Sequence, residues 1–122
     1  MARLLVADDD GVTRDLVARS LKADGHTIVT AADGQEALDL VEGAAAAPFA
    51  LLIVDVDMPL VDGIEVVRRI SAARPGTKAL LMSGHAEGQV RVSSLQASGT
   101  VSYLAKPFSM EALRTTVRTL IG

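Results

Sequence analysis

Short apolar runs alternate with amphipathic stretches along the chain. Three runs are apolar without interruption, which is typical of strands buried on both faces of a parallel sheet; they span 4–7, 50–54 and 79–82. Two other runs, 27–31 and 101–105, mix apolar and polar residues and predict strands nearer an edge. The pattern therefore predicts five strands, with the three apolar runs inside the sheet.

The stretches between the strands have helical spacing and helix-end signals. In the first stretch, Val12, Leu16, Val17 and Leu21 fall on one face, and Gly25 is a C-terminal stop signal. Later helices begin at N-capping residues, which are Asp33 before Glu36, Asp62 before Glu65, and Ser109. The stretch 87–97 is the weakest helix, because it contains a glycine, two serines and a thin apolar stripe. Low helix stability there suits a movable element.

Five β-then-α units follow one another in 122 residues. Such alternation implies parallel strands with right-handed crossovers, and the chain is too short for an eight-fold barrel. The small-residue connection 43–48 is not a domain linker, because neither side is large enough to fold alone. The predicted fold is one α/β domain over residues 1–122, a doubly wound three-layer sandwich with a five-stranded parallel sheet and five helices.

The composition removes several classes of function. Aromatic residues make up only 2% of the chain, so the core is aliphatic, and the absence of cysteine excludes disulfides and thiolate metal sites. The net charge of −3, with no basic stripe, argues against direct nucleic-acid binding. No apolar run approaches the ~20 residues of a membrane span. We therefore expect a soluble, cytoplasmic domain without a membrane partner.

The ten aspartates are unevenly placed. Asp8, Asp9 and Asp10 follow the first strand, and Asp55 and Asp57 follow the third. Ligand sites in open parallel sheets form beyond the carboxyl ends of the strands, where the strand order reverses. With the order 2-1-3-4-5, the first and third strands are neighbours and the two acidic groups face each other.

This arrangement predicts phosphoryl-transfer chemistry at a metal site. Clustered carboxylates repel one another unless a cation lies among them, and oxygen-only ligands favour Mg²⁺ before Ca²⁺. Asp55 is then a candidate nucleophile. Lys106, after the fifth strand, supplies positive charge to phosphoryl oxygens, and Ser83, after the fourth, donates a hydrogen bond.

With these motifs together, the chain resembles a response-regulator receiver domain, the phosphoacceptor of two-component signalling and phosphorelays. The resemblance covers essentially all 122 residues and rests on five motifs in the family's order. They are the acidic pair Asp8 and Asp9, the segment from Leu51 to Gly63 that contains Asp55, the hydroxyl segment with Ser83 and Gly84, the aromatic Tyr103, and the Lys106-Pro107 pair.

The resemblance implies a flavodoxin-like fold and assigns roles to these residues. Asp55 is the phosphoacceptor, and Asp8, Asp9, Asp55 and the backbone carbonyl of Asp57 hold Mg²⁺, with Mn²⁺ as an alternative. The phosphate-binding and switch residues are Ser83, Gly84 and Lys106, Tyr103 is the aromatic switch, and Pro107 follows a cis peptide bond. A third acid, Asp10, is expected to cap the next helix, and the effect of an acidic Asp57 does not follow from the sequence.

The resemblance also implies a signalling role rather than multiple-turnover catalysis. The phosphoryl donor is a histidine kinase or a histidine phosphotransfer protein. Phosphorylation draws Ser83 toward the phosphate, Tyr103 then turns inward, and the face of the fourth helix, fifth strand and fifth helix changes its partner affinity. The target is a protein or an output domain outside this chain, and the domain is a monomer or a weak dimer. Met1 at the first strand indicates a natural N-terminus, and the sequence leaves open whether the chain stands alone or is one domain of a larger regulator or hybrid kinase.

Three alternatives remain open. The segment ending in Asp55-Val56-Asp57 also resembles the nucleophile motif of haloacid-dehalogenase-type phosphatases, with a Mg-dependent aspartyl-phosphate intermediate. Against this, the motif follows the third strand signal and the chain has no room for a cap. A flavin-binding protein of similar topology would need a phosphate loop after the first strand, where this chain has acids. The third alternative is a receiver that no longer accepts phosphate.

Overall fold

The computed structural model describes residues 2–43, 48–96 and 99–121. Strands and helices alternate along the chain, as the apolar pattern predicted. The elements are β1 (Arg3–Ala7), α1 (Gly11–Ala23), β2 (Thr27–Ala31), α2 (Gly34–Gly43), β3 (Leu51–Asp55), α3 (Gly63–Ala73), β4 (Lys78–Ser83), α4 (Ala86–Gln96), β5 (Val101–Ala105) and α5 (Met110–Ile121). Of the predicted connection 43–48, residues 44–47 lie outside the described residues, and so does Ala97 at the end of the predicted fourth helix.

The five strands form one parallel sheet in the order β2-β1-β3-β4-β5, which confirms the predicted topology. The uninterrupted apolar strands β1, β3 and β4 lie inside the sheet, and the mixed strands β2 and β5 are its edges. All five residues of β3 are buried, because helices cover both faces of the sheet. The adjacency of β1 and β3 brings the carboxyl ends of these two strands together.

The alternating side chains of the sheet supply two aliphatic cores. One core packs against α2, α3 and α4 and includes Leu52, Val54 and Leu81. The other packs against α1 and α5 and includes Val6, Ile53 and Leu80. Together they make the three layers that the sequence predicted.

The predicted capping residues begin their helices. Asp10 caps α1 by accepting a hydrogen bond from the backbone N–H of Val12 at 3.1 Å, and Asp62 caps α3. Backbone N–H groups also donate to the side chains of Asp33 and Ser109. Among the described residues, no helix is long and apolar enough to cross a lipid bilayer.

Candidate functional site

Three carboxylates meet where β1 and β3 end. One oxygen from each of Asp8, Asp9 and Asp55 lies within 4.8 Å of the other two, a grouping suited to a metal ion. Asp8 is fully buried and Asp55 is 5% exposed, whereas Asp9 is exposed. The topology therefore brings together the two acidic groups as the sequence analysis expected.

Lys106, directly after β5, bridges the two buried acids. Its Nζ lies 3.0 Å from Oδ2 of Asp8 and 3.3 Å from Oδ2 of Asp55. Burial alone lowers the pKa of Lys106, but the hydrogen bond to Asp8 and the charge of Asp55 outweigh it and raise that pKa. The lysine is therefore a fixed positive charge beside Asp55.

The carboxyl of Asp55 is hard to ionise in this environment. Burial first, and then repulsion from Asp8, raise its pKa from 3.8 to about 6, against the opposing influence of Lys106. One lysine does not balance the three carboxylates, so the site keeps a net negative charge. This donor set of carboxylate oxygens fits a hard divalent cation such as Mg²⁺.

Backbone N–H groups orient the two buried carboxylates. The N–H of Asp10 donates to Oδ1 of Asp8 at 2.9 Å, and the N–H of Asp57 donates to Oδ1 of Asp55 at 3.2 Å. A Cβ at Gly63 would overlap the backbone carbonyl of Asp55, so only glycine lets α3 begin this close to β3. These contacts direct the other oxygen of each carboxyl toward Lys106.

Ser83 ends β4 and is 1% exposed. Its Oγ lies 3.2 Å from Oδ2 of Asp57 and 3.3 Å from the carbonyl oxygen of His85, and it accepts the N–H of His85 at 3.0 Å. Asp57 therefore points its carboxylate at the hydroxyl of Ser83 and lies outside the group formed by Asp8, Asp9 and Asp55. Coordination of a metal by the Asp57 carbonyl stays a prediction.

Tyr103 lies on β5 with its half-buried ring packed against the core on the α4 side of the sheet. Its hydroxyl donates to the backbone carbonyl of Ser83 at 3.1 Å. The sequence analysis expected the ring to turn inward after Ser83 had moved toward a phosphate. In the structure, the ring of Tyr103 is already packed against the core while the hydroxyl of Ser83 is hydrogen-bonded to Asp57. The packed position of the ring therefore does not require Ser83 to have moved.

The remaining predicted site residues lie beside this group. The peptide bond between Lys106 and Pro107 is cis. Gly84 is exposed, and a Cβ there would lie 3.8 Å from Cβ of Lys106, so the space does not require glycine. Asp10 caps α1 and also accepts the hydroxyl of Thr13 at 2.8 Å, which separates it from the metal group.

Sequence reasoning missed two residues of the site. Arg14, one turn into α1, donates from Nη1 to the backbone carbonyl of Asp8 at 2.7 Å. His85 has a side chain that is 72% exposed, and its Nε2 lies 3.9 Å from Oδ2 of Asp57. The only signal for either was proximity in sequence, since Arg14 follows the acidic run and His85 follows Ser83 by two residues.

Comparisons with known proteins agree with this geometry. Residues 4–118 match the family described as the response regulator receiver domain. Response regulator MprA of Mycolicibacterium vanbaalenii is 39% identical over 119 residues, which are 98% of this chain and 50% of that protein. The chain thus spans about half the length of the curated relatives it matches.

Two solved structures are similar over nearly their whole length. Chemotaxis protein CheY4 of Vibrio cholerae has a TM-score of 0.83 at 32% identity, with 98% of each chain covered. Response regulator protein TrrA of Thermotoga maritima, solved in complex with Mg²⁺ and BeF, has a TM-score of 0.83 at 29% identity and covers 98% of this chain and 99% of that one. These similarities do not support the phosphatase alternative.

Proposed function

The chain belongs to the response regulator receiver family of two-component signalling, and from this premise we propose that it accepts a phosphoryl group on Asp55 from a phosphohistidine donor. The reaction requires Mg²⁺, for which Mn²⁺ is a substitute. The observation that carries the proposal is the position of Lys106, which contacts both Asp8 and Asp55. A lysine shared by two buried carboxylates is suited to charge neutralisation in phosphoryl transfer.

Asp55 acts as the nucleophile. An oxygen of its carboxylate attacks the phosphorus atom, a new O–P bond forms, and the N–P bond to the donor imidazole breaks. The electron pair of that bond returns to the imidazole nitrogen, which takes up a proton. With a pKa of about 6, Asp55 is mostly ionised at neutral pH and is ready to attack.

Other residues bind and orient the phosphoryl group. Lys106 holds its charge toward the oxygens of that group, and the hydroxyl of Ser83 donates a hydrogen bond to one of them. A divalent cation held by Asp8, Asp9, Asp55 and the carbonyl of Asp57 would neutralise further negative charge. The backbone N–H of Gly84, which follows Ser83, would donate to another oxygen of the phosphoryl group.

The phosphoryl donor is a protein that carries a phosphohistidine, either a histidine kinase or a phosphotransfer protein. An open groove of about 370 Å³ between α1 and the start of α5 begins at Lys106 and is lined by Leu16, Phe108 and Met110. Leu16 is 52% exposed and Val12, one turn earlier, is 71% exposed. An apolar surface continuous with the lysine favours a donor with an apolar face around its histidine.

Phosphorylation is proposed to change the affinity of the surface formed by α4, β5 and α5. The new group carries about 1.5 to 2 negative charges, which replace the single charge of the Asp55 carboxylate beside Ser83. Because Tyr103 is bonded to the carbonyl of Ser83, movement of that residue is transmitted to β5. The responding partner is a downstream protein or an output domain outside the described residues, and this domain acts as a monomer or weak dimer without turnover of a separate substrate.

Mass spectrometry after incubation with acetyl phosphate and Mg²⁺ tests the proposal. We expect one phosphoryl group per chain, on Asp55, and none in Asp55→Asn or after Mg²⁺ is removed with EDTA. Asp39→Asn is the matched control, because Asp39 is exposed on α2 and the charge change is the same. Labelling that survives in Asp55→Asn, or many turnovers on small phosphomonoesters, would contradict the proposal.

A further inference from the structure

Asp57 connects the phosphoacceptor to the hydroxyl of Ser83. Its backbone N–H donates to Oδ1 of Asp55 at 3.2 Å, while its own Oδ2 lies 3.2 Å from Oγ of Ser83. A serine hydroxyl has a single proton, so it donates to one acceptor at a time. A hydrogen bond to Asp57 is therefore unavailable to a phosphoryl oxygen on Asp55.

On the basis of the function proposed above, we propose that Asp57 is a positioning residue that competes with the phosphoryl group for the hydroxyl of Ser83. The carboxylate is the stronger of the two acceptors near that hydroxyl, because a charged acceptor forms a stronger hydrogen bond than the carbonyl of His85. Phosphorylation must break this bond before Ser83 can bind the phosphoryl group.

The surroundings of Ser83 limit how it responds. The backbone N–H of His85 donates to its Oγ at 3.0 Å and holds the oxygen on one side. On the other side, a Cβ at Gly88 would overlap Oγ and Cβ of Ser83, so α4 packs directly on this residue. With its side chain enclosed in this way, Ser83 responds by redirecting its proton and shifting its oxygen slightly.

Charge strengthens the competition. The Asp57 carboxylate and a phosphoryl group on Asp55 are both anionic acceptors, and both draw on the one proton of the Ser83 hydroxyl. Because its charge strengthens the hydrogen bond from Ser83, the carboxylate of Asp57 opposes the switched position of Ser83 by holding its proton. Asp57 therefore raises the free energy that is needed to transfer the hydrogen bond of Ser83 from this carboxylate to the phosphoryl group.

The experiment measures beryllofluoride binding at saturating Mg²⁺ in the wild-type chain and in Asp57→Ala, Asp57→Asn, Ser83→Ala and the Asp57→Ala/Ser83→Ala double variant. The chain contains one tyrosine and no tryptophan, and the hydroxyl of Tyr103 lies on the carbonyl of Ser83. Tyrosine fluorescence therefore reports on this site without an added label. The Mg²⁺ affinity of each variant is measured first, so that metal binding is separated from Ser83.

We expect Asp57→Ala to bind beryllofluoride about five-fold more tightly than the wild-type chain, and Asp57→Asn about two-fold, since the amide keeps an acceptor without the charge. In the Ser83→Ala background, replacing Asp57 should have no effect. In metal-free protein, we compare how far the Asp57→Ala change shifts the NMR signal of the His85 amide in two backgrounds. The shift should be larger in the wild-type background than in the Ser83→Ala background.

The possible outcomes separate this inference from the proposed function. If wild-type protein binds no beryllofluoride, the proposed function and this inference both fail. If it binds, but the Asp57 effect persists without the Ser83 hydroxyl or follows Mg²⁺ affinity alone, the inference fails and the function stands. Tighter binding that depends on Ser83 supports both.

Discussion

Leu60 has an unfavourable backbone conformation and little burial to compensate for it. It lies in the segment between Asp55 and Gly63 with a φ of 70°, and its side chain is 83% exposed. Among the described residues, it is the only one other than glycine with a positive φ. A non-glycine residue in the left-handed region costs roughly 1–2 kcal/mol.

We expect Leu60→Gly to raise the free energy of unfolding by about 1 kcal/mol. Relief of the left-handed conformation exceeds the entropy that glycine adds to the unfolded chain. Leu60→Ala is the control, since alanine keeps the same backbone restriction and should bring no gain. Urea unfolding of the three proteins measures the effect, and equal stability of the glycine and alanine variants would show that Leu60 is not strained.

Helix α4 is held to the domain by a few specific contacts. Its buried residues are Gly88 and Val92. Of the predicted apolar stripe, Val92 is buried and Leu95 is partly buried, whereas Val90 is 72% exposed. Arg91 forms a 2.7 Å ion pair with Asp62, whose other oxygen caps α3. Because α4 packs on Ser83 through a glycine, the position of this helix depends on the residue that binds the phosphoryl group.

We expect Gly88→Ala to lower the free energy of unfolding by about 1–2 kcal/mol, although alanine favours a helix by up to ~1 kcal/mol. The added methyl group would overlap the side chain of Ser83 and push α4 outward. Gly43→Ala at the end of α2 is the matched control, because a Cβ there meets no atom within 4 Å. In thermal unfolding, we expect Gly88→Ala to lower the melting temperature and Gly43→Ala to raise it. A stabilising Gly88→Ala would mean that α4 has room to move.

In the molecule as a whole, the carboxylates that the chemistry needs at the edge of the sheet lower the stability of the fold. Parallel topology forces Asp8 and Asp55 into one buried site, where the pKa of Asp55 rises from 3.8 to about 6. Between these two pH values the folded chain keeps a proton on Asp55 that the unfolded chain has lost. In the absence of metal, the free energy of unfolding therefore decreases as pH rises through this range.

Asp55→Asn should remove this decrease in the free energy of unfolding with rising pH. In EDTA at pH 7.5, we expect the variant to be more stable than the wild-type chain by on the order of 2 kcal/mol, with little difference at pH 4. Added Mg²⁺ should stabilise the wild-type chain and narrow the gap. Urea unfolding at a series of pH values measures the difference. A gap that does not change with pH would show that Asp55 ionises as it does in water.

Most of the fold was predictable because it depends on regularities of local sequence. Uninterrupted apolarity identified β1, β3 and β4 as inner strands, and capping residues such as Asp62 marked helix starts. The site residues followed from the same reasoning, since polar groups after parallel strands share one edge of the sheet. The predicted bounds of β2 and β5 match the observed ones, whereas β1, β3 and β4 differ by one residue at one or both ends.

The sequence by itself determined the alternating strands and helices, the layers and the polar residues at the strand ends, because periodicity and strand ends are readable along one chain. The strand order 2-1-3-4-5, which makes Asp8, Asp55 and Lys106 converge, came with the family resemblance and is confirmed by the structure. Only the tertiary structure decided where each side chain points. It assigned Arg14 to the carbonyl of Asp8 and Asp57 to the hydroxyl of Ser83. The physical reason is that these hydrogen-bond partners depend on ångström distances and side-chain directions, which no local pattern encodes.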